Sequence, residues 1–288
     1  MPLVSIVMRS INDLSFIEQT LTAIFNQNFK DFELINVDSG STDGTYEIIR
    51  KYNPGKSYQI RREDYVPGRV LNNAIKMCAG EIIVFNNSDC IPRNSDWLGN
   101  LIKPLLQPGE PVAVFGNQEP RPDATPLVIK DYRRAFGDGT VSASWGHFFS
   151  LATSAVRKSD IEQNPFNEKL KYSEDIEWSW RMKKAGRKIQ YVPDAVVEHS
   201  HNYKMREIWK RFYNEGLADG FIYGEKKNFI SGMLLPFAVE ACRDMLFLGR
   251  NGWMLYIPYG LAYRFLQRLA SWKGRADFIG LNASAKLL

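Results

Sequence analysis

Three times in the first ninety residues a short apolar run stops on a polar turn. Leu3–Met8 runs into Arg9-Ser10-Ile11-Asn12-Asp13, Phe32–Val37 into Asp38-Ser39-Gly40-Ser41, and Ile82–Phe85 into Asn86-Asn87-Ser88-Asp89. Continuously apolar runs of this length are the mark of strands buried on both faces. Helical periodicity fills the gaps between them. Phe16, Ile17, Leu21, Ile24 and Phe25 recur at helical spacing in Leu14–Asn26, with Asn12 and Asp13 as capping residues. Further helices are expected over Tyr46–Tyr52, closed by Pro54-Gly55, and from Pro67 through Cys78, with proline at the first helical position. Strand–helix units back to back predict a parallel, doubly wound α/β sheet, because such crossovers are right-handed. Ligands of such sheets bind beyond the carboxyl ends of the strands, where each of these polar turns falls. Asp89 is therefore a candidate functional carboxylate. An Asx turn that only closes the strand is the competing reading.

The loop after the second strand, Asp38 to Thr45, mixes glycines with hydroxyls and suits hydrogen bonding to a nucleobase edge or a ribose. It is not a dinucleotide fingerprint. Nor is Gly55-Lys56-Ser57 the tail of a P-loop, whose first glycine would fall on Arg50. Beyond it the pattern predicts strands at Tyr58–Arg61, Val112–Phe115 and His147–Thr153, and a helix at Trp97–Leu106. A polar stretch from Gln118 to Gly146 carries one helix, Pro126–Phe136, and belongs to the kind of insertion that holds a binding partner. Arg69 stands near a helix amino terminus, against the dipole; an anionic ligand such as a diphosphate would explain it, as would a plain surface position. Glu174-Asp175 after Ser173 reads either as a capped helix start or as a carboxylate facing a cleft and serving as a general base. Strand alternation through Val196–His201 would set His199 and His201 on one face, as surface residues or as ligands of a manganese-class metal.

The 288 residues suffice for one large domain and a smaller appendage, expected at 1–202 and 203–288. Cys78, Cys90 and Cys242 have no metal or redox spacing, which points to a reducing compartment. The amino terminus reads as a strand and not as a signal peptide, so a cytoplasmic protein is expected. Residues 202–288 carry a net charge of +6 and residues 1–201 one of −1. No nucleic-acid-binding signature accompanies that basic end. Its two apolar stretches, Phe229–Val239 and Trp253–Tyr263, are eleven residues each, short of a membrane span. With Arg264, Arg268, Lys273 and Arg275 among aromatics, this region suits an anionic membrane surface; packing on the catalytic domain or a homodimer interface is the alternative.

Val4-Ser5-Ile6-Val7, Val37 through Thr45, Asn87-Ser88-Asp89, Glu174-Asp175 and His199 follow in an order and spacing that resembles the family 2 glycosyltransferases. These are inverting enzymes of the GT-A fold that use nucleotide-sugar donors, and within them the chain looks like the bacterial rhamnosyltransferase branch. The likeness spans Leu3–His201 and continues weakly to Gly220. It implies a Rossmann-like, mostly parallel sheet flanked by helices, with a helical carboxy-terminal extension. By the same resemblance Asp38 binds the pyrimidine of a UDP- or dTDP-sugar, with Arg9, Ser10 and Ser39 beside it. Arg69 and Asn72 lie near the diphosphate, and Ser88 and Asp89 also meet the donor. Asp89 and His199 hold Mn2+ or Mg2+, and Asn87 departs from the family's Asp-x-Asp motif, removing one charge. Asp175 is the general base, while Glu174, Trp178 and Thr153 face the acceptor, a growing surface polysaccharide, free or lipid-linked. Two other readings stand beside this one. Intact Asp38, Asp89, Asp175 and His199 argue against an inactive nucleotide-sugar-binding homologue, and the lack of a glycine-rich, basic loop after Val7 argues against a sugar nucleotidyltransferase.

Overall fold

A computed structural model describes residues 1–53, 55–109, 111–144 and 148–285, without the side chains of 144 and 282–285. Pro54 of the expected helix stop, Gly146 and His147 lie outside the described residues. The chain divides into two compact units, of which the first holds Met1–Arg121, Tyr132–Leu170 and Glu174–Ser200.

The first unit is built on an eight-stranded sheet in the order β3-β2-β1-β4-β7-β6-β8-β5. Its strands are β1 (Val4–Ser10), β2 (Phe32–Asp38), β3 (Ser57–Gln59), β4 (Ile82–Asn86), β5 (Ile91–Pro92), β6 (Ala113–Glu119), β7 (Thr153–Arg157) and β8 (Ile189–Glu198). β1, β2, β3 and β4 are parallel, β7 runs antiparallel between β4 and β6, and β8 lies parallel to β6. β1 carries β2 on one side and β4 on the other, so the strand order reverses there, the kind of switch point beyond whose carboxyl ends such sheets bind ligands.

Alternation along β1 feeds two cores. Val4, Ile6 and Met8 join the helices α1 (Leu14–Phe25), α2 (Thr45–Tyr52) and α4 (Trp97–Ile102) on one face through Ile17, Leu21, Ile49, Trp97 and Leu101. Val7 points the other way, with Val70, Leu71 and Ile75 of α3 (Pro67–Met77) and Trp178 and Met182 of α8 (Glu174–Lys184). α5 (Pro126–Ala135), α6 (Thr140–Ser144) and α7 (Lys158–Gln163) complete the elements before α8.

Two strands differ from expectation. The strand expected over His147–Thr153 starts where that run ends, at Thr153, because Phe149 and Leu151 are spent as core residues from a loop. The strand alternation expected from Val196 belongs to a longer strand, β8, which begins at Ile189 and passes Pro193 through a register shift opposite Gly116 and Asn117. Proline cannot donate to the ladder, and a shift absorbs it. Gly116 makes this fit, since a Cβ there would sit 2.4 Å from the carbonyl oxygen of Ala195.

The second unit comprises Pro122–Asp131, Lys171–Ser173 and His201–Leu288, so it takes in two short segments that the sequence reading gave to the first. Its helices are α9 (Met205–Tyr223), a π turn (Ile230–Leu234) leading into α10 (Leu235–Arg250), and α11 (Ile257–Ala285). α9 and α11 touch backbone to backbone: a Cβ on Gly216 would lie 2.1 Å from the Ser271 carbonyl oxygen, and one on Gly274 equally close to that of Tyr213. The buried guanidinium of Arg264 pairs with Asp244 at 2.6 Å and Asp131 at 2.7 Å, and Lys130 pairs with Asp244 and Glu240. Buried charges persist because each has its partner. No helix among the described residues is long and apolar enough to cross a membrane.

Candidate active site

Arg9, next to last in β1, joins elements far apart in the chain. It donates to Glu174 Oε1 at 2.8 Å, to the Tyr65 hydroxyl at 3.3 Å and to Asn87 Oδ1 at 3.5 Å, while its carbonyl oxygen accepts from the Ser88 amide. One side chain thereby ties the start of α8 to the turn that follows β4. Neighbouring Asp175 is half-buried, with Oδ1 accepting from the Ile176 amide at 2.9 Å. Burial, followed by the negative charge of Glu174, pushes its carboxyl up to about 7, against the pull of Arg9. A carboxylate that changes charge near neutrality is suited to proton transfer. Ser173, expected as a conventional N-cap, instead takes a left-handed backbone with φ of 59°. The turn it makes redirects the chain into α8.

The β4 turn delivers Asp89, which is nearly buried. Its Oδ2 stands 3.5 Å from Nε2 of His199 and 3.3 Å from the guanidinium of Arg121. Gln118, near the end of β6, fixes the imidazole. Its amide nitrogen donates to Ser150 Oγ at 2.8 Å, which turns Oε1 toward His199 Nδ1, also at 2.8 Å. Nδ1 therefore donates to Gln118, and Nε2 faces the Asp89 carboxylate oxygen. A carboxylate and an imidazole nitrogen so placed can share a divalent cation, or pair with each other when the ring is protonated.

Asp89, Cys90 and His199 offer ligand atoms within 4.8 Å of one another. Burial and the Asp89 charge hold the Cys90 thiol well above its ordinary range, so it stays protonated and is a poor ligand. A carboxylate and an imidazole suit a manganese-class ion whose other positions are filled by phosphate oxygens and water. The donor set thus fits a divalent cation, though thinly. Asn87, where the resemblance puts an aspartate, faces Arg9, and Arg121 already shares Asp89 Oδ2.

Several residues expected at the donor also hold the scaffold. Asp38 is fully buried, with Oδ1 accepting from the Gly40 and Ser41 amides and Gln59 Nε2, and Oδ2 from Ser10 and Ser41 hydroxyls. Ser10 is consumed in that bond and in one from Asn36, and the Ser39 amide donates to the Ser10 carbonyl oxygen. These residues shape the 39–41 turn. Ser88 is buried and its hydroxyl donates to Asp13, a residue read from the sequence only as a helix cap. Asn72 spends its amide on the backbone of Phe166 and on Glu168, and Arg69 is half-exposed beside Glu168 at 3.7 Å.

Trp178 and Thr153, expected at the acceptor, are corrections. Both are fully buried: Trp178 packs on Phe149 and Phe166 and donates to the Asn164 carbonyl oxygen, and Thr153 accepts from Trp97 Nε1 at 2.9 Å. The alternation invoked for His199 and His201 also fails, because β8 stops at Glu198. His199 is buried at Asp89, and His201 is exposed against the Tyr203 ring. As a core residue, Trp178→Ala is expected to cost about 3–5 kcal/mol of unfolding free energy, measured by urea denaturation; a change below ~1 kcal/mol would return it to the surface.

Arg121, Gln118, Tyr65 and Asp13 were not among the expected site residues. Arg121 donates to the carbonyl oxygens of Ser200 and Asp89 and lies 3.7 Å over the Phe16 ring. A longer β6 would have been the signal for Gln118, since the apolar run stops at Phe115 while the strand continues to Glu119.

The family model described as glycosyl transferase family 2 matches residues 5–163. An O-antigen chain rhamnosyltransferase of Salmonella typhimurium is 29% identical over 74% of this chain and 71% of its own length. A second O-antigen chain rhamnosyltransferase, from Salmonella anatum, is 31% identical over 68% of each chain. Among solved structures, the mannosyltransferase PcManGT from Pyrobaculum calidifontis, in complex with GDP-Man and Mn2+, superposes with a TM-score of 0.60 at 19% identity, covering 100% of this chain and 81% of that one. The fold is the GT-A arrangement shared by these transferases.

Proposed function

The chain belongs to glycosyl transferase family 2, and on that premise we propose that it moves a sugar, rhamnose first among candidates, from a dTDP- or UDP-linked donor to a hydroxyl of a growing bacterial surface polysaccharide, with inversion. The observation that carries this reading is the Arg9 bridge, which ties the α8 carboxylates to the turn bearing Asp89. Asp175 takes the proton from the acceptor hydroxyl as its oxygen bonds to the anomeric carbon and the bond to the nucleoside diphosphate breaks. One base and one displacement give inversion. A divalent ion held by Asp89 and His199 would supply charge neutralisation to the departing diphosphate. Arg121, at 3.3 Å from Asp89, and Arg9 keep positive charge at this end of the sheet. The nucleoside is read by the turn that Asp38 organises, and Glu174 lies on the acceptor side.

In the same reading, residues 1–202 do the donor chemistry and residues 203–288 contact the acceptor, a second copy or a membrane. The enzyme works in the cytoplasm, on the inner face of the cell membrane when its acceptor is lipid-linked. The test is nucleotide release from a panel of dTDP- and UDP-sugars with Mn2+ or Mg2+, with and without chelator. Release from one donor, suppressed by chelator, is the expected result. No release from any donor, with glycan extract present, would favour the inactive homologue.

A further inference from the structure

The second unit leaves one helical face bare. Met233, Glu240, Ala241, Asp244 and Leu248 are buried on one side of the π turn and α10. The opposite side is apolar and open: Ile230 is 67% exposed, Leu235 and Leu246 each 60%, and Leu255, in the short link to α11, fully so. The π turn is what aligns them. Its wider winding delays the helical phase, so Ile230 falls on the exposed side and not on that of Leu248. From Ile230 to Leu246 the stripe is ~24 Å long at the helical rise. Soluble surfaces rarely carry so continuous an apolar strip without a partner.

The charges around it select the partner. Exposed Lys226 and Lys227 precede the strip, and exposed Arg243 and Arg250, seven residues apart, run along its flank. The acids of α10, Glu240 and Asp244, are turned inward and paired with Lys130 and Arg264; Glu240 also takes Arg243 at 2.9 Å, so the charge of this face rests on Lys226, Lys227 and Arg250. A second copy docked on this face would bring basic residues against basic residues. An anionic lipid surface would meet the cations with phosphate and the strip with acyl chains.

We propose that residues 226–255 form a docking face for an anionic bilayer, the strip inserting at the headgroup boundary and Lys226, Lys227 and Arg250 binding lipid phosphates, with Arg243 beside them. This deepens the membrane-side part of the function proposed above and rests on it; it does not rest on the transferase chemistry. The experiment is co-sedimentation of the full chain with phosphatidylglycerol-containing vesicles and with pure phosphatidylcholine vesicles, beside sedimentation velocity without lipid. Expected is binding to the anionic vesicles, at least ~10-fold weaker to the neutral ones and weakened by salt. Leu235→Glu with Leu246→Glu should abolish binding while thermal unfolding and donor hydrolysis are unchanged, because both side chains already face water. Arg243→Glu with Arg250→Glu should remove the anionic preference. Equal binding by the leucine variant, no vesicle binding by the parent chain, or a dimer that the leucine variant breaks would each overturn the proposal. Donor hydrolysis is read in the same samples without lipid, so failure of the docking face and failure of the transferase reading are told apart.

Discussion

Asp175→Asn is expected to lower the rate of transfer by ~10²–10⁴-fold, the usual contribution of a positioned base, with donor affinity unchanged. The amide keeps the size of the side chain and its bond from Ile176, and loses only the ability to accept a proton. Unfolding does not confound this result. A carboxyl raised to about 7 by burial is uncomfortable when charged, and that cost is fully present above pH 7 and vanishes toward the ordinary carboxylate range. Removing the charge should leave the variant at least as stable as the parent at pH 8. The pH profile is the finer test. In the parent chain kcat/KM should fall as pH drops through about 7, where Asp175 takes up its proton. Glu174→Gln removes the adjacent negative charge and leaves Arg9 less neutralised; both changes favour the ionised form, so the limb should move to lower pH. A limb that stays in place would remove Glu174 from the account, and an Asp175→Asn enzyme of normal rate would remove the base.

Asp89→Asn is expected to cost ~10²–10³-fold in transfer, the scale of losing one preorganised charge at a developing anion, and to weaken Mn2+ binding measured by paramagnetic resonance by at least ~10-fold. The second readout matters because Asp89 also faces Arg121, and both side chains are 9% exposed. Removing one partner of a buried pair costs up to about 3–5 kcal/mol. Denaturation of the same variant therefore separates a lost ion from a weakened fold. His199→Gln offers the complementary case, since no buried arginine is stranded by it. If both variants bind Mn2+ as the parent does, the pair holds no metal and Arg121 is the cation of the site.

Much of the fold could be read from apolar runs ending in polar turns, because a strand buried on both faces leaves little choice of residue. β1, β2 and β4 and the reversal of strand order at β1 follow from that pattern, and the basic, helical carboxy-terminal part from charge and length. β7 and the length of β8 could not be read so, because Phe149 and Leu151 enter the core from a loop and Pro193 interrupts the pattern of a strand that continues past it. For the site, local pattern reached Asp89 and the α8 acids, which stand at element ends. Contacts between distant residues escaped it. The bonds of Gln118 to His199, Ser88 to Asp13 and Arg9 to Glu174 join residues far apart in sequence, and no spacing encodes them. Trp178 shows the reverse failure. It sits three residues after Asp175, yet helical geometry turns it into the core.

One measurement reaches the central claim most directly: the anomeric configuration of the transferred sugar, followed by NMR from a labelled nucleotide donor to a glycan extract. A single displacement assisted by Asp175 predicts a product of opposite configuration to the donor. A product of retained configuration would require a second displacement, and would contradict this account of the site.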